Sequence, residues 1–344
     1  MIKCVKSSLR PPDKNRASYA IFDEKYYLAQ YPWVKPAIDA GVIKSGLEHF
    51  QKFGEAGGLT KVSRYFDEAT YLAGNPDIAA LVRTPNNPNA PFATGLDHFI
   101  QYGYEEGRTR VSPEYDETFY LANNSELRSF VQNGTFKSGY QHFIQFGIKD
   151  GRFGTSFFEP EYLRNNPDIV PLVNSGALKT GREHYFNFGK NEPNRSATFV
   201  GTSGNDILTG VGVGNTELIG VEVGIDPQGN RQYESFGSDE SDVLIGGPGK
   251  DTFVLGVPAT SGTPTSRSLY AGIPGIVTIR NFDKDNDKIQ LAGSPATYRT
   301  SGGGNELLIL SPGSETIGRI EGGGDLVVST IQQNGNDTFY LFLK

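Results

Sequence analysis

The rhythm of apolar positions changes near residue 195. Before it, apolar residues come in short bursts at helical spacing, broken by glycine and proline. After it, short apolar runs alternate with polar residues, between turns rich in glycine, threonine and serine. The second pattern predicts strands over residues 252–255, 275–279, 288–291, 306–310, 316–320, 326–331 and 338–343, hence a β-sandwich or a flattened roll.

The first pattern repeats four times between residues 19 and 195. Each copy opens on Tyr27-Leu28, Tyr71-Leu72, Tyr120-Leu121 or Tyr162-Leu163, and each carries a histidine further on: His49, His98, His142 and His184. The second copy is longer, and its extra length coincides with a loop around residues 86–92. Three short helices are predicted in each copy. The first starts with an aromatic residue, an acid as N-cap and then tyrosine, as in Phe66, Asp67 and Tyr71; the fourth copy uses Pro160 instead. The second starts at Asn75-Pro76-Asp77 or Asn166-Pro167-Asp168, a cap followed by proline and acid. The third starts at Ser45, Thr94, Ser138 or Thr180, with Glu48, Asp97, Gln141 or Glu183 three residues on, which reads as a capping box. A buried aromatic face follows each histidine, and Gly54, Gly103, Gly147 and Gly189 are expected to end the helix.

Four equivalent histidines invite a metal reading. Equivalent points on packed helices lie about 10 Å apart, whereas a shared zinc needs nitrogens at about 2.1 Å. A structural role is expected instead, each ring bonding a neighbouring unit.

Two consecutive nonapeptides, residues 237–245 and 246–254, carry glycine first, aspartate sixth and an apolar residue eighth, Leu244 and Phe253. Residues 201–209 repeat the pattern with Asp206 and Leu208; nine residues later Asn215 stands at the aspartate position. Glycine turns leave carbonyls pointing into the bend, and an aspartate adds hard oxygen beside them. Calcium takes six to eight such oxygens at about 2.3–2.6 Å. The candidate ligands are Asp242 and Asp251, then Asp206 and the weaker Asp239, with carbonyls from the turns at Gly237, Gly246, Gly247 and Gly249. Ordinary β-turn chemistry is the alternative.

This spacing resembles the repeats-in-toxin family, the haemolysin-type calcium β-roll. The resemblance implies Ca2+ between stacked turns, with one or two filled sites at most because the register breaks between residues 216 and 234. The four-copy helical unit resembles tandem repeats that accompany such rolls in bacterial surface and secreted proteins, which implies a spacer array. Residues 281–291 resemble the strand-turn-strand that follows the roll. Asp283, Asp285 and Asp287 have the spacing of a helix-loop-helix calcium site, but Lys288 and Ser294 replace its glycine and glutamate, so a solvated turn is preferred. The apolar end, residues 339–343, resembles an uncleaved signal for type I export; a buried last strand explains it equally.

Composition narrows the picture. With 344 residues, one cysteine and a net charge of -7, the chain has room for two domains, no internal disulfide and little affinity for nucleic acid. No apolar run is long enough to span a bilayer, and the basic start does not read as a cleaved signal peptide. The expected fold class is multidomain α + β: a flexible basic tail (1–18), an all-α array of four three-helix repeats (19–195) and an all-β calcium β-roll or sandwich (196–344). The expected function is that of a secreted or cell-surface calcium-binding structural or adhesive protein, non-enzymatic, whose partner is a surface or matrix polysaccharide or protein, or a second copy of itself. A carbohydrate-binding module and a carboxylate-dependent polysaccharide hydrolase are the alternatives.

Overall fold

The computed structural model describes residues 18–237, 239–260, 264–272, 275–335 and 337–344. The basic tail expected over residues 1–18 therefore lies outside the described residues, Ser18 excepted. Contacts divide the chain into two compact units, residues 1–117 with 124–154, and 118–123 with 155–344. Three helical copies fall largely in the first unit. The fourth belongs to the second, so the boundary expected at residue 195 lies inside that unit.

The first helices are Glu24–Gln30, Glu68–Gly74, Glu117–Asn123 and Glu159–Asn165. Asp23 and Asp67 cap the first two by accepting the N–H groups of Tyr26 at 2.9 Å and Thr70 at 2.7 Å. The next residue has a task that the spacing did not show. The Glu24 carboxylate accepts the N–H groups of Gly46 and Leu47, the first two of the third helix, at 2.5 and 3.1 Å. Glu68, Glu117 and Glu159 do the same for Gly95, Gly139 and Gly181 and the residue after each. A negative charge thus fills the unsatisfied N-terminus of a helix too short to stand alone, four residues in three copies and seven in the fourth.

Three of the histidines, His49, His98 and His184, bond within their own copies. Tyr27, Tyr71 and Tyr162 place their hydroxyls 2.8, 2.7 and 2.7 Å from Nδ1 of His49, His98 and His184. The expected bond to a neighbouring unit is corrected accordingly. After the histidine the chain widens in three copies into a π-helical turn, Phe50–Gly54, Phe99–Gly103 and Phe143–Gly147; Gly54 and Gly147 end the helical run as expected, whereas a further turn, Tyr104–Glu106, follows Gly103 and a 3-10 turn starts at Gly189. A Cβ on Gly54 or on Gly189 would lie 2.7 Å from the tyrosine oxygen, so glycine opens the space in which tyrosine meets histidine.

In each copy the N–H at or beside the first helix cap bonds a carbonyl of the segment that leads onward: Asp23 to Val62, Asp67 to Val111 and Asp116 to Gly154, at 2.9, 2.8 and 2.8 Å. In the fourth copy the same place is taken by Phe158 and Thr198 at 2.8 Å, and Thr198 lies in a strand. This is the local reason why the fourth copy folds with the sheets. Phe158, Tyr162, Tyr185 and Phe186 share one core with Phe199, Leu218 and Phe253.

Two six-stranded sheets follow. Sheet one runs β1 (Ser196–Val200), β3 (Asn215–Ile219), β7 (Lys250–Val254), β11 (Lys288–Ala292), β16 (Thr338–Leu343), β15 (Val328–Asn334). Sheet two runs β12 (Arg299–Gly303), β13 (Glu306–Leu310), β14 (Thr316–Glu321), β10 (Ile276–Arg280), β6 (Ser241–Ile245), β2 (Ile207–Thr209). From β1 to β3 and from β6 to β11 the chain passes from sheet to sheet. The neighbours β1, β3, β7 and β11 therefore pair in parallel, as do β2, β6, β10 and β14, while β12, β13, β15 and β16 add antiparallel pairs. Hairpins β4 (Val223–Ile225) with β5 (Arg231–Tyr233) and β8 (Gly256–Val257) with β9 (Arg267–Ser268) interrupt the passages.

The expected fold class is corrected here. A solenoid β-roll needs layers of equal length, and an all-β sandwich needs no helices in its core. The chain instead builds mixed parallel and antiparallel sheets without a solenoid roll, packed with the helices of its fourth copy, so α/β describes it better. In β16, Phe339, Leu341 and Leu343 are buried, which accounts for the apolar end as a core strand. Among the described residues no helix is long and apolar enough to cross a membrane.

Burial holds His49, His98, His142 and His184 below the ordinary 6.5; at His98 the nearby Glu106 opposes this without reversing it. The unfolded chain then binds more protons, so this contribution to stability is complete above about pH 6.5 and is lost as pH falls through the lowered values. Thermal melting followed by circular dichroism should shift downward between pH 7 and pH 5, and less so in His98→Gln. Tyr71→Phe should cost about 1–3 kcal/mol at neutral pH in urea denaturation, because it strips a buried ring nitrogen of its partner.

Candidate functional site

The passages between the sheets bring four aspartates inside. Asp206, Asp242, Asp251 and Asp287 are 0, 1, 1 and 2% exposed. They form two pairs, each separated by 36 residues along the chain. The Asp206 N–H donates to Asp242 Oδ1 and the Asp251 N–H to Asp287 Oδ1, both at 2.8 Å. Each of three aspartates also closes its own turn from four residues ahead: Asp206 Oδ2 accepts the Thr202 N–H at 2.6 Å, Asp251 Oδ2 that of Gly247 at 2.7 Å, and Asp287 Oδ2 that of Asp283 at 2.8 Å. A side chain that bonds its own turn and the next layer fixes the register of both.

The two pairs differ in what else surrounds them. Beside Asp242, Gly237 at φ +73° lies against the ring of Tyr270. Tyr270, itself wholly buried, donates its hydroxyl to Asp242 Oδ2 at 2.6 Å. The phenol hydroxyl thus already satisfies Asp242 Oδ2. The other pair is open to a cation. At Gly246, the position a Cβ would take lies 2.5 Å from the Asn281 carbonyl oxygen and 3.3 Å from both Asp251 Oδ2 and Asp287 Oδ2. Two carboxylate oxygens and a carbonyl thus surround a cradle kept clear by glycine, and hard oxygen donors of this kind suit calcium.

Electrostatics sets the pairs apart in the same way. Burial, then the charge of Asp287, pushes Asp251 up to about 7; burial pushes Asp287 up to about 6 against the pull of the Asp251 and Asp283 N–H groups. Neither carboxylate has a lysine or arginine partner among the described residues. Near Asp206, burial pushes Glu240 up to about 7, and the charge of Asp206 adds to it. Among the described residues no group of three or more His, Cys, Asp or Glu side chains could hold a metal, so any ion here would draw most of its ligands from backbone and water.

The residues singled out from the sequence separate accordingly. Asp242 and Asp251, the two leading ligand candidates from consecutive nonapeptides, lie in β6 and β7, in different sheets. Each pairs with an aspartate 36 residues away instead. Asp206 and Gly237 belong to the pair that Tyr270 bonds, Asp239 is exposed on a turn, and Gly246 forms the cradle. Gly247 and Gly249 lie against the carbonyls of Gly210 and Gly214 in the adjacent turn, so they serve close stacking. Two residues outside the nonapeptide pattern join Asp251. Thr216, not Asn215, pairs with Asp251 in the strand register and donates its hydroxyl to Asp251 Oδ1. Asp287 points inward, while Asp283 and Asp285 are exposed and Asp283 accepts the Asp285 N–H at 2.9 Å, a solvated turn. The signal that finds Asp287 is the spacing itself, since Asp206 to Asp242 and Asp251 to Asp287 are equal steps.

Asp287→Ala should destabilise the chain by about 1–3 kcal/mol, because the Asp251 N–H loses its acceptor inside the protein. The urea midpoint should fall with an unchanged slope; an unmoved midpoint would remove Asp287 from the structure's supports. Comparison of the chain with protein-family models, with curated proteins and with solved structures finds no match.

Proposed function

We propose that this chain is a calcium-binding structural or adhesive protein that acts outside the cell, on its surface or in an extracellular matrix, and that it performs no catalysis. The observation that carries the reading is the cradle at Gly246, where Asp251 Oδ2, Asp287 Oδ2 and the Asn281 carbonyl approach one point. These three groups would hold the ion. When bound, calcium supplies the positive charge that the two buried carboxylates lack and ties the turn before β7 to the turn before β11. One site is proposed, because the Tyr270 hydroxyl already satisfies Asp242 Oδ2 in the other pair.

The size of the effect agrees with a mechanical role. An extracellular-type site, with a dissociation constant around 10⁻⁴–10⁻³ M, is empty in the cytosol and filled outside. At tenfold its dissociation constant one ion adds about 1.4 kcal/mol. That stiffens an edge without deciding whether the unit folds, since the core beside it is apolar and continuous. The helical copies act as a spacer whose parts hold together by internal clamps. The partner is a surface or matrix polysaccharide, a protein or a second copy.

Calorimetric titration with CaCl2 should give one ion per chain for the wild type. Binding should be lost in Asp251→Ala and Asp287→Asn and kept in Asp242→Asn. A chelator should lower the melting temperature slightly and leave the helical dichroism intact. Absence of binding heat in the wild type, or equal binding in the Asp251 and Asp287 variants, would sink the proposal.

A further inference from the structure

The face of sheet one that turns away from the core is polar, and it is walled. Phe199, Leu218, Phe253, Ile289 and Leu341 belong to the core, and Thr198, Glu217, Thr252, Gln290 and Tyr340 beside them line the other face. Along the register, Thr198 stands beside Glu217, Glu217 beside Thr252, and Gln290 beside Tyr340. An open polar sheet face would need no explanation. Here hairpin β4–β5 and helix Glu159–Asn165 line one side and residues 258–260 another, enclosing a cavity of about 790 Å³. It reaches across β1, β3, β7, β11 and β16, about 19 Å at the usual strand spacing.

The wall facing this space contains a costly feature. Arg231 is only 17% exposed and is gripped by two carboxylates: its Nε donates to Glu161 Oε2 at 2.7 Å, and its guanidinium forms a second ion pair with Glu217. Partly buried ion triads contribute little to stability once desolvation is counted, and their attested value is in fixing geometry. This one holds a planar guanidinium and two carboxylates rigid at the edge of the cavity. The floor adds amides and hydroxyls, and the ring of Tyr340, half-buried, supplies a flat apolar surface with Lys288 Nζ 3.8 Å from its centre.

We propose that this groove binds a neutral oligosaccharide segment of a polysaccharide. The chemistry favours that occupant over others. Sugars present dense hydroxyl groups, each donor and acceptor, which match amides, threonines and a fixed carboxylate–guanidinium array. Their apolar faces stack on tyrosine. The charged residues that line the groove, Glu161, Glu217 and Arg231, carry one net negative charge, so nothing in it attracts a polyanion. A drug-like apolar ligand is disfavoured by a lining that is mostly polar. Thr216 lines the groove and also bonds Asp251, but the groups argued here, Arg231 with its two carboxylates and Tyr340, are not part of the cradle at Gly246, so this inference is tested apart from the calcium reading.

The test uses the full chain in buffer with calcium, applied to an array of neutral and anionic polysaccharides, followed by calorimetry on the soluble oligosaccharide of any neutral hit. Binding to at least one neutral glycan is expected. Affinity should fall tenfold or more in Tyr340→Ala and in Thr252→Trp, which fills the floor, while removal of calcium with a chelator should leave the wild-type affinity within twofold. Melting curves of both groove variants establish that they fold, and Tyr340→Phe, which keeps the ring, should retain most of the affinity. No neutral glycan bound by the wild type, preferential binding of acidic polysaccharides, or binding indifferent to both groove variants would overturn the proposal.

Discussion

A buried carboxylate that must accept hydrogen bonds from two places at once is the constraint on which the C-terminal half rests. Asp251 accepts from its own turn and donates its N–H to Asp287, which in turn closes the turn before β11. Asp206 and Asp242 repeat the device 36 residues apart. A charge buried this way is tolerated because N–H groups solvate it. The same need forces the turns to stack closely, and close stacking forces glycine at Gly246, Gly247 and Gly249. Strand register, turn composition and the candidate cation cradle therefore share one cause.

The helical copies solve a different problem with the same means. Their helices are too short to be stable alone, so polar side chains bind the pieces together. A glutamate from the first helix caps the third, and a tyrosine from the first helix meets the histidine at the end of the third. In the second and fourth copies an arginine clasps the start of the second helix: Arg108 bonds Asn75 and Asp77, and Arg195 bonds Asn166 and Asp168. With histidine held neutral by burial beside a tyrosine hydroxyl, a residue that invites metal chemistry serves as a packing joint. The copies thereby act as modules whose stability is internal.

The second unit presents two surfaces with separate uses. The turns on the edge of the sheets gather oxygen around a small space, while the outward face of sheet one spreads amides, hydroxyls and a tyrosine across a broad one. On the proposed reading, the first would stiffen the frame and the second would make the contact.

Local chemistry written along the chain was enough to determine the copies, their caps, the switch from helical to alternating patterning and the importance of the aspartates in glycine turns. These depend on neighbours within a few residues, and spacing reports them directly. Tertiary structure alone decided which aspartate meets which. Consecutive nonapeptides place Asp242 and Asp251 in different sheets, because each passage crosses from one sheet to the other, and only a full layer returns the chain to the same edge. It also decided that Thr216 and Asp287 join Asp251, that Tyr270 bonds the second pair, and that the fourth helical copy folds into the sheets to make an α/β unit rather than a solenoid roll beside a helical array. These outcomes depend on pairs of residues distant in sequence, whose meeting is set by layer length and by what else must share the core.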